Sequence, residues 1–417
     1  MASAPAQQAP APGQLFEVPG AAGGGTQWQD QYESTEDLAV TLNQTNPVTV
    51  NGVQKFKQVD VVTDWDLHVA ITQTYTAGTS TLTNSAYAPF NQLGSFKLKI
   101  QNQYSSVDVE NGIDLYIFNL LRPRTKSDRR NLLYANPAGS PAGGTAGDGY
   151  YTAALAQPNL VVPAQWTNAL AGYGAVLRIP AAQWFDVYWD LDVSGNPVSP
   201  PHRALVSPQF MAGTTREITP KMVFNAMSSG QLDTAPVNIG AGTGTAAGSA
   251  TLSFRRKAIY AANPAVMPVE YAWQYRWVTD RRQIAGQSKM PLLLPIDAGQ
   301  VLSIYVRLWD PDANGGLGAP IALSNVTKVQ LQYGSGLLRF DGTPLELQKE
   351  FFAKHGFLLP EGVMCFDLAL DENDRITNAR ALNMLTTAGC QVYFETSAPV
   401  SAAAYAVLGI ESLVYVS

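Results

Sequence analysis

The chain has 417 residues, with 27 Lys and Arg against 33 Asp and Glu for a formal net charge of −6, and only 14% charged residues where roughly 25% is usual. At about 150 residues per domain this is enough for two or three domains, and 46% hydrophobic residues exclude a disordered chain. The acidic balance removes the attraction on which nucleic-acid binding mostly rests, so no direct nucleic-acid contact is expected. Cys365 and Cys390 are the only cysteines and there are three histidines, too few for a disulfide scaffold or a multi-ligand zinc site.

Residues 1–28 are rich in Ala, Pro, Gln and Gly and show no apolar period, which reads as a flexible N-terminal arm. The same stretch lacks the basic start and apolar run of a signal peptide, and no window approaches the ~18 apolar residues of a membrane helix. A chain neither spanning a membrane nor classically exported is expected.

From there alternation with period two dominates, the mark of strands with one buried face. Val59, Val61, Thr63, Trp65, Leu67, Val69 and Ile71 share one face of a long strand, with Asp60, Asp64, Asp66, His68 and Thr72 on the other. Phe96, Leu98 and Ile100 alternate with Lys97 and Lys99; a turn at Asn111 and Gly112 then predicts a hairpin returning through Ile113, Leu115 and Ile117. Phe185, Val187, Trp189, Leu191 and Val193 alternate with Asp186, Tyr188, Asp190 and Asp192.

The Gly/Ala/Thr run at 238–250 has no period and predicts a flexible connector. The pattern then restarts: Tyr271, Trp273, Tyr275 and Trp277; Leu302, Ile304, Val306 and Leu308 against Ser303, Tyr305 and Arg307; Val392 and Phe394; and the segment from Val407 to Val416. One helix is expected, with Thr343 as cap, Pro344 at its first position, Glu346 completing a capping box and Gly356 ending it. Sixteen or so short strands around one short helix in the second half predict an all-β chain of two sandwiches. The expected division is an arm at 1–28, a first unit at 29–228, a connector at 229–250 and a second unit at 251–417.

No catalytic constellation survives scrutiny. On a strand rising ~3.3 Å per residue, Asp64 and His68 lie ~13 Å apart, and no serine elbow accompanies them, so a strand-surface histidine is the preferred reading. Asp186, Asp190 and Asp192 could imitate a glycosidase's paired carboxylates, but alternating acids are also how a strand keeps its outer face soluble. The run from Asp310 through Asp312 and Asn314 to Gly315 opens like a calcium loop, yet Ile321 stands where a bidentate Glu is needed, leaving a tight turn. Glycine-rich runs at 142–149 and 240–248 lack the Lys-Ser/Thr ending of a phosphate loop. No catalytic residue, metal ligand or cofactor is expected. Arg122, Arg124, Lys126, Arg129 and Arg130 form the one basic cluster, a solvated loop or a contact for an anionic surface, either acidic neighbours or phospholipid headgroups.

Taken in order, VDVVTDWDLHVAITQTY, FNQLGSFKLKI and GIDLYIFNLLR, then WFDVYWDLDV and TREITPKMVFN, and finally CQVYFET and YAVLGIESLVYV resemble the double jelly-roll major capsid proteins of tectivirus-like, internal-membrane bacteriophages. The resemblance covers nearly everything after the arm, although those relatives carry an N-terminal helix where this chain has a Pro/Gly-rich arm. It implies two consecutive eight-stranded jelly rolls, a homotrimer of pseudo-hexagonal outline, and an icosahedral shell. The expected location is the virion, after synthesis in the host cytoplasm. The implied partners are neighbouring trimers, vertex (penton) and minor capsid proteins, and an internal viral membrane on the inner face. A phage spike binding glycans through sandwich loops is the alternative, followed by a β-sandwich glycosidase using the cluster from Asp186 to Asp192.

Overall fold

A computed structural model describes residues 29–34, 38–51, 54–55, 61–76, 78–88, 90–100, 105–121, 133–135, 170–179, 217–260, 273–284, 286–295, 299–333, 336–355, 358–368, 382–383 and 389–415. The first half contributes β1 (Leu38–Leu42), β2 (Val48–Asn51), β3 (Val61–Thr76), β4 (Leu93–Ile100) and β5 (Ser105–Val109). Helix α1 (Gly112–Leu121) follows, then β6 (Leu170–Ile179), β7 (Glu217–Phe224) and β8 (Thr245–Tyr260). The second half contributes β9 (Trp273–Gln283), β10 (Lys289–Leu293), β11 (Gln300–Asp310), β12 (Val326–Tyr333) and β13 (Leu337–Gly342). Helix α2 (Pro344–His355) follows, then β14 (Val363–Asp367), β15 (Gln391–Thr396) and β16 (Tyr405–Tyr415).

The first half pairs in the orders β1-β8-β3-β6 and β2-β7-β4-β5, every neighbour antiparallel. The second half pairs as β9-β16-β11-β14 and β10-β15-β12-β13, again antiparallel throughout. Each of these eight strands of the first half therefore has a counterpart eight places later, and a helix follows the fifth of them in both. Neighbours in the sheet that are far apart in sequence are the signature of Greek-key winding, and two such four-stranded sheets facing each other make a jelly roll.

The alternation read from sequence is realised in the packing. Leu67, Val69 and Ile71 of β3 and Phe96 and Leu98 of β4 lie in the first core, while Met290, Leu292, Val329, Leu331, Val392 and Phe394 meet Ile304, Val306 and Leu308 in the second. Helix α2 starts with its predicted capping box: Glu346 accepts hydrogen bonds from the Thr343 backbone N (2.7 Å) and Oγ1 (3.0 Å), and its own backbone N donates to Thr343 Oγ1 at 3.3 Å; Gly356, expected to end it, lies outside the described residues. Leu347 and Phe351 make its buried stripe.

Two expectations are overturned. The hairpin at Asn111 is instead the start of α1, all ten residues of which are buried. Asn111 caps it, its Oδ1 accepting from the Ile113 backbone N at 3.2 Å. A segment apolar on every side carries period two and period 3.6 equally well, so spacing alone could not choose. A second helix thus stands in the first half, where none was expected.

The connector at 238–250 is the second correction. Val237–Ile239 pairs with Leu82–Asn84, and β8 runs unbroken from Thr245, paired along its length with β3. The strand is hard to recognise because its outward side chains are small: Thr245, Ala247, Ser249 and Thr251 are exposed while Ala250 and Leu252 are buried. Strand pairing places 245–260 with the first half, although the sequence assigned 251–260 to the second. The reading of 1–28 as an arm and the strand expected at Phe185–Val193 lie outside the described residues.

Candidate functional site

Among the described residues the densest cluster of buried ionisable side chains lies where the two halves meet. Strand β5 runs parallel to β9, with Val107 opposite Trp277 and Asp108 opposite Val278, which joins one sheet of each half into a continuous 11-stranded sheet. Strand β11 is buried on both faces for this reason. Its Ile304, Val306 and Leu308 point into the second core, while Tyr305 and Trp309 join the first core across the joint.

Helix α1 fills the joint. Phe118 stacks on Trp277 with centroids 5.0 Å apart and meets Tyr305 edge-on at 5.1 Å; Tyr87 lies 5.2 Å from Trp309. The Tyr305 ring lies across Gly409, its register partner on β16, where an added Cβ would come within 2.0 Å of the ring. Glycine is required there by close approach, not by backbone conformation.

At the centre, Arg307 of β11 is 1% exposed and ties the second half to the first. Its Nε donates to Asp114 Oδ1 at 2.9 Å and its Nη1 to Asp233 Oδ1 at 2.8 Å. The Tyr405 hydroxyl donates to the other Asp233 oxygen, and Arg281 lies 3.5 Å over the Tyr405 ring. Burial pushes the Asp114 carboxyl up, and Arg307 partly offsets this. Burial works against the guanidinium too, but Asp114 and Asp233 outweigh it and hold Arg307 protonated. The planar fork of arginine holds its donors in a fixed geometry toward both carboxylates, which the point charge of a lysine would not reproduce.

The loop holding Asp233 is itself tied down. Asn111 Nδ2 donates to the Asp233 carbonyl at 2.8 Å, the Leu232 N to Leu317 O at 2.8 Å, and Gln231 Nε2 to Gly316 O at 2.8 Å. These last contacts reach the loop once compared with a calcium site. There Asp310 Oδ1 accepts from the Asp312 backbone N (3.0 Å) and Ser401 Oγ (2.5 Å), and Asn314 and Gly315 take positive φ of 54° and 69°, the geometry of a tight turn. No group of three potential metal ligands occurs among the described residues.

The other sequence candidates are placed as follows. His68, Asp64 and Asp66 lie on β3, where the register sets Asp66 opposite Arg255, Asp64 opposite Lys257 and His68 opposite Ser253. Opposite charges at directly paired positions are a cross-strand stabilising arrangement, which suits a structural strand. Trp277 is a joint aromatic. The cluster Arg122, Arg124, Lys126, Arg129 and Arg130, which follows α1 directly in sequence, and Asp186, Asp190 and Asp192 lie outside the described residues. Cys365 and Cys390 are both buried and form no disulfide; burial raises the Cys390 thiol to about 11.

Sequence reading missed the joint, but a signal existed. Asp114 is the lone charge in GIDLYIFNLL, and Arg307 the lone charge before the end of VLSIYVRLW. A single charge inside an otherwise apolar element must be paired when buried, and these two have opposite signs.

No known family profile matches the chain, and no curated protein does. Solved structures do. The STIV MCP, of Sulfolobus Turreted Icosahedral Virus, aligns with TM-score 0.53 and 12% identity over 93% of this chain and 97% of that one. PBCV-1 VP54, fitted into a reconstruction of the virophage Sputnik, aligns with TM-score 0.54 and 13% identity over 92% and 94%. The Faustovirus major capsid protein gives TM-score 0.52 and 8% identity over 100% and 93%. The fold is the double jelly roll. At these identities the likeness extends to architecture, and within the double jelly roll the two halves meet at the parallel pairing of β5 with β9 and at the buried cluster around Arg307.

Proposed function

We propose that this chain is a major capsid protein whose task is mechanical: it forms homotrimers of pseudo-hexagonal outline that tile an icosahedral shell and resides in the virion. The observation that carries the reading is the strand order repeated in both halves and locked by a buried joint, together with architectural likeness over more than nine-tenths of solved viral capsid chains. A rigid pair of upright barrels presents side walls to neighbours, and no catalytic role is assigned to it. Neighbouring trimers, vertex and minor capsid proteins are its partners. An internal membrane beneath the shell would accommodate the net charge of −6, with Arg122, Arg124, Lys126, Arg129 and Arg130 meeting anionic headgroups or acidic neighbours. Negative-stain microscopy and native mass measurement of the purified protein test this directly. Threefold particles with a hexagonal silhouette are expected; a stable monomer at high concentration overturns the reading.

A further inference from the structure

The loop that carries Asp233 to Arg307 is held from two sides, and an Asn-Gly pair stands on each. On the first side is Asn111–Gly112, at the start of α1. Asn111 is 5% exposed, and both ends of its amide are engaged: Oδ1 accepts from the Ile113 N at 3.2 Å and Nδ2 donates to the Asp233 carbonyl at 2.8 Å. Gly112 is buried too, and an added Cβ would collide with the Phe90 carbonyl. On the second side is Asn314–Gly315, in the turn after β11. Both residues are exposed, an added Cβ on Gly315 would meet nothing within 4 Å, and among the described residues no side-chain hydrogen bond holds Asn314. Asn314 is also the only non-glycine residue among them at positive φ, a conformation that costs an asparagine little and other residues more.

An asparagine before glycine has a covalent reaction open to it, because glycine has no side chain to shield the backbone nitrogen that follows the amide. A buffer base takes the proton from the Gly315 nitrogen, which attacks Asn314 Cγ. The N–Cγ bond forms, the Cγ–Nδ2 bond breaks, and the leaving nitrogen takes up a proton and departs as ammonia. Water then opens the five-membered succinimide at one carbonyl or the other, leaving aspartate or isoaspartate. The sum is amide plus water giving carboxylic acid plus ammonia. Ring closure needs the backbone to turn, which open space permits at Gly315 and close packing forbids at Gly112.

We propose that Asn314 is a site of spontaneous covalent modification, passing through a succinimide with Gly315, and that its conversion loosens the joint as the molecule ages. The carbonyls that follow, Gly316 O and Leu317 O, accept the 2.8 Å bonds from Gln231 Nε2 and Leu232 N that tie down the Asp233 loop. Isoaspartate inserts an extra methylene into the main chain just before them. Either product also adds a negative charge to a turn that already holds Asp310 and Asp312. Asn111 keeps its side of the loop, so the joint weakens from the second half only.

The full chain, kept in mildly alkaline buffer, sampled over weeks and digested, reads the site by mass. The peptide with Asn314 should gain about 1 Da and become a substrate for an isoaspartate methyltransferase. Asn314 should be lost on the order of tenfold or more faster than Asn111, since a buried, bonded pair reacts only when the fold opens locally. Aged parent should melt below newly purified parent, whereas Asn314→Gly, which suits the positive φ and carries no amide, should hold its melting temperature over the same period. An unchanged Asn314 peptide, or Asn111 converting first, overturns the site. Full conversion with aged parent and aged Asn314→Gly melting alike overturns its link to the joint.

Discussion

Helices α1 and α2 occupy the same place in the winding, each following the fifth strand of its barrel, and they could hardly be less alike. Every residue of GIDLYIFNLL is buried, whereas PLELQKEFFAKH buries Leu347 and Phe351 and exposes Leu345 and Phe352. The difference follows from what lies outside. Against α1 rests the second barrel, so its outward residues became aromatic and aliphatic; over the outer face of α2 the described residues place no second barrel, and charge returns at Lys349 and Glu350. Composition at equivalent positions thus records which walls of a barrel are permanently covered.

The sharpest way to break this comparison is to empty the joint of its cation. Arg307→Ala leaves Asp114 and Asp233 buried without their partner, and should cost about 5 kcal/mol in denaturant unfolding, the upper end for a broken buried ion pair. Arg282→Ala, which removes the half-exposed pair with Asp280, should cost no more than ~1 kcal/mol. Equal effects would mean the joint is not what holds the halves together.

Phe118→Ala comes next. Removing a ring stacked on Trp277 and edge-on to Tyr305 should cost about 4 kcal/mol. The matched change on the other helix, Phe352→Ala, should leave the isolated chain within ~0.5 kcal/mol of the parent. Gly409→Ala tests the same packing from the sheet side: its methyl would meet the Tyr305 ring, which is fully buried and cannot swing away, at an expected cost of about 1–3 kcal/mol. An unaltered melting curve would show that the ring moves freely and that the joint is loosely packed.

Legibility of the sequence divides along the same line as the helices. Elements with one wet face announced themselves, as in β4, where Phe96 and Leu98 are buried and Lys97 is half-exposed beside its partner Asp108, and α2, whose capping box was read residue by residue. Helix α1, covered on both sides, and β8, whose exposed residues from Thr245 to Thr251 are all small, did not. Helix α1 lost its period because no face needed to be polar, and β8 lost its apolar signal because small residues suffice on an outer face. The joint was hard to read for a further reason: Arg307 meets Asp233 across 74 positions and Asp114 across 193, and local pattern shows a lone charge that needs a partner without naming the partner.

The smallest expected effect is also the most discriminating, because Asp114 and Glu346 hold the same position, three residues after their caps Asn111 and Thr343. Asp114 turns outward to Arg307, and burial raises its carboxyl. Glu346 turns back on its own cap, and the hydrogen bond from the Thr343 backbone, then that from its side chain, lowers its carboxyl. A carboxyl lowered by folding stabilises above its unfolded value and loses that contribution as pH falls through its folded value. The α2 cap should therefore hold at neutral pH and fade only below the ordinary glutamate range of roughly 4. Amide exchange of α2 followed from neutral pH downward should show protection falling in that acid window in the parent and flat in Glu346→Gln, with Thr343→Ala costing about 1 kcal/mol at neutral pH. Loss of α2 protection already near neutrality would mean that Glu346 is held as Asp114 is, by a covering surface and not by its cap, and the distinction between the two helices would fail.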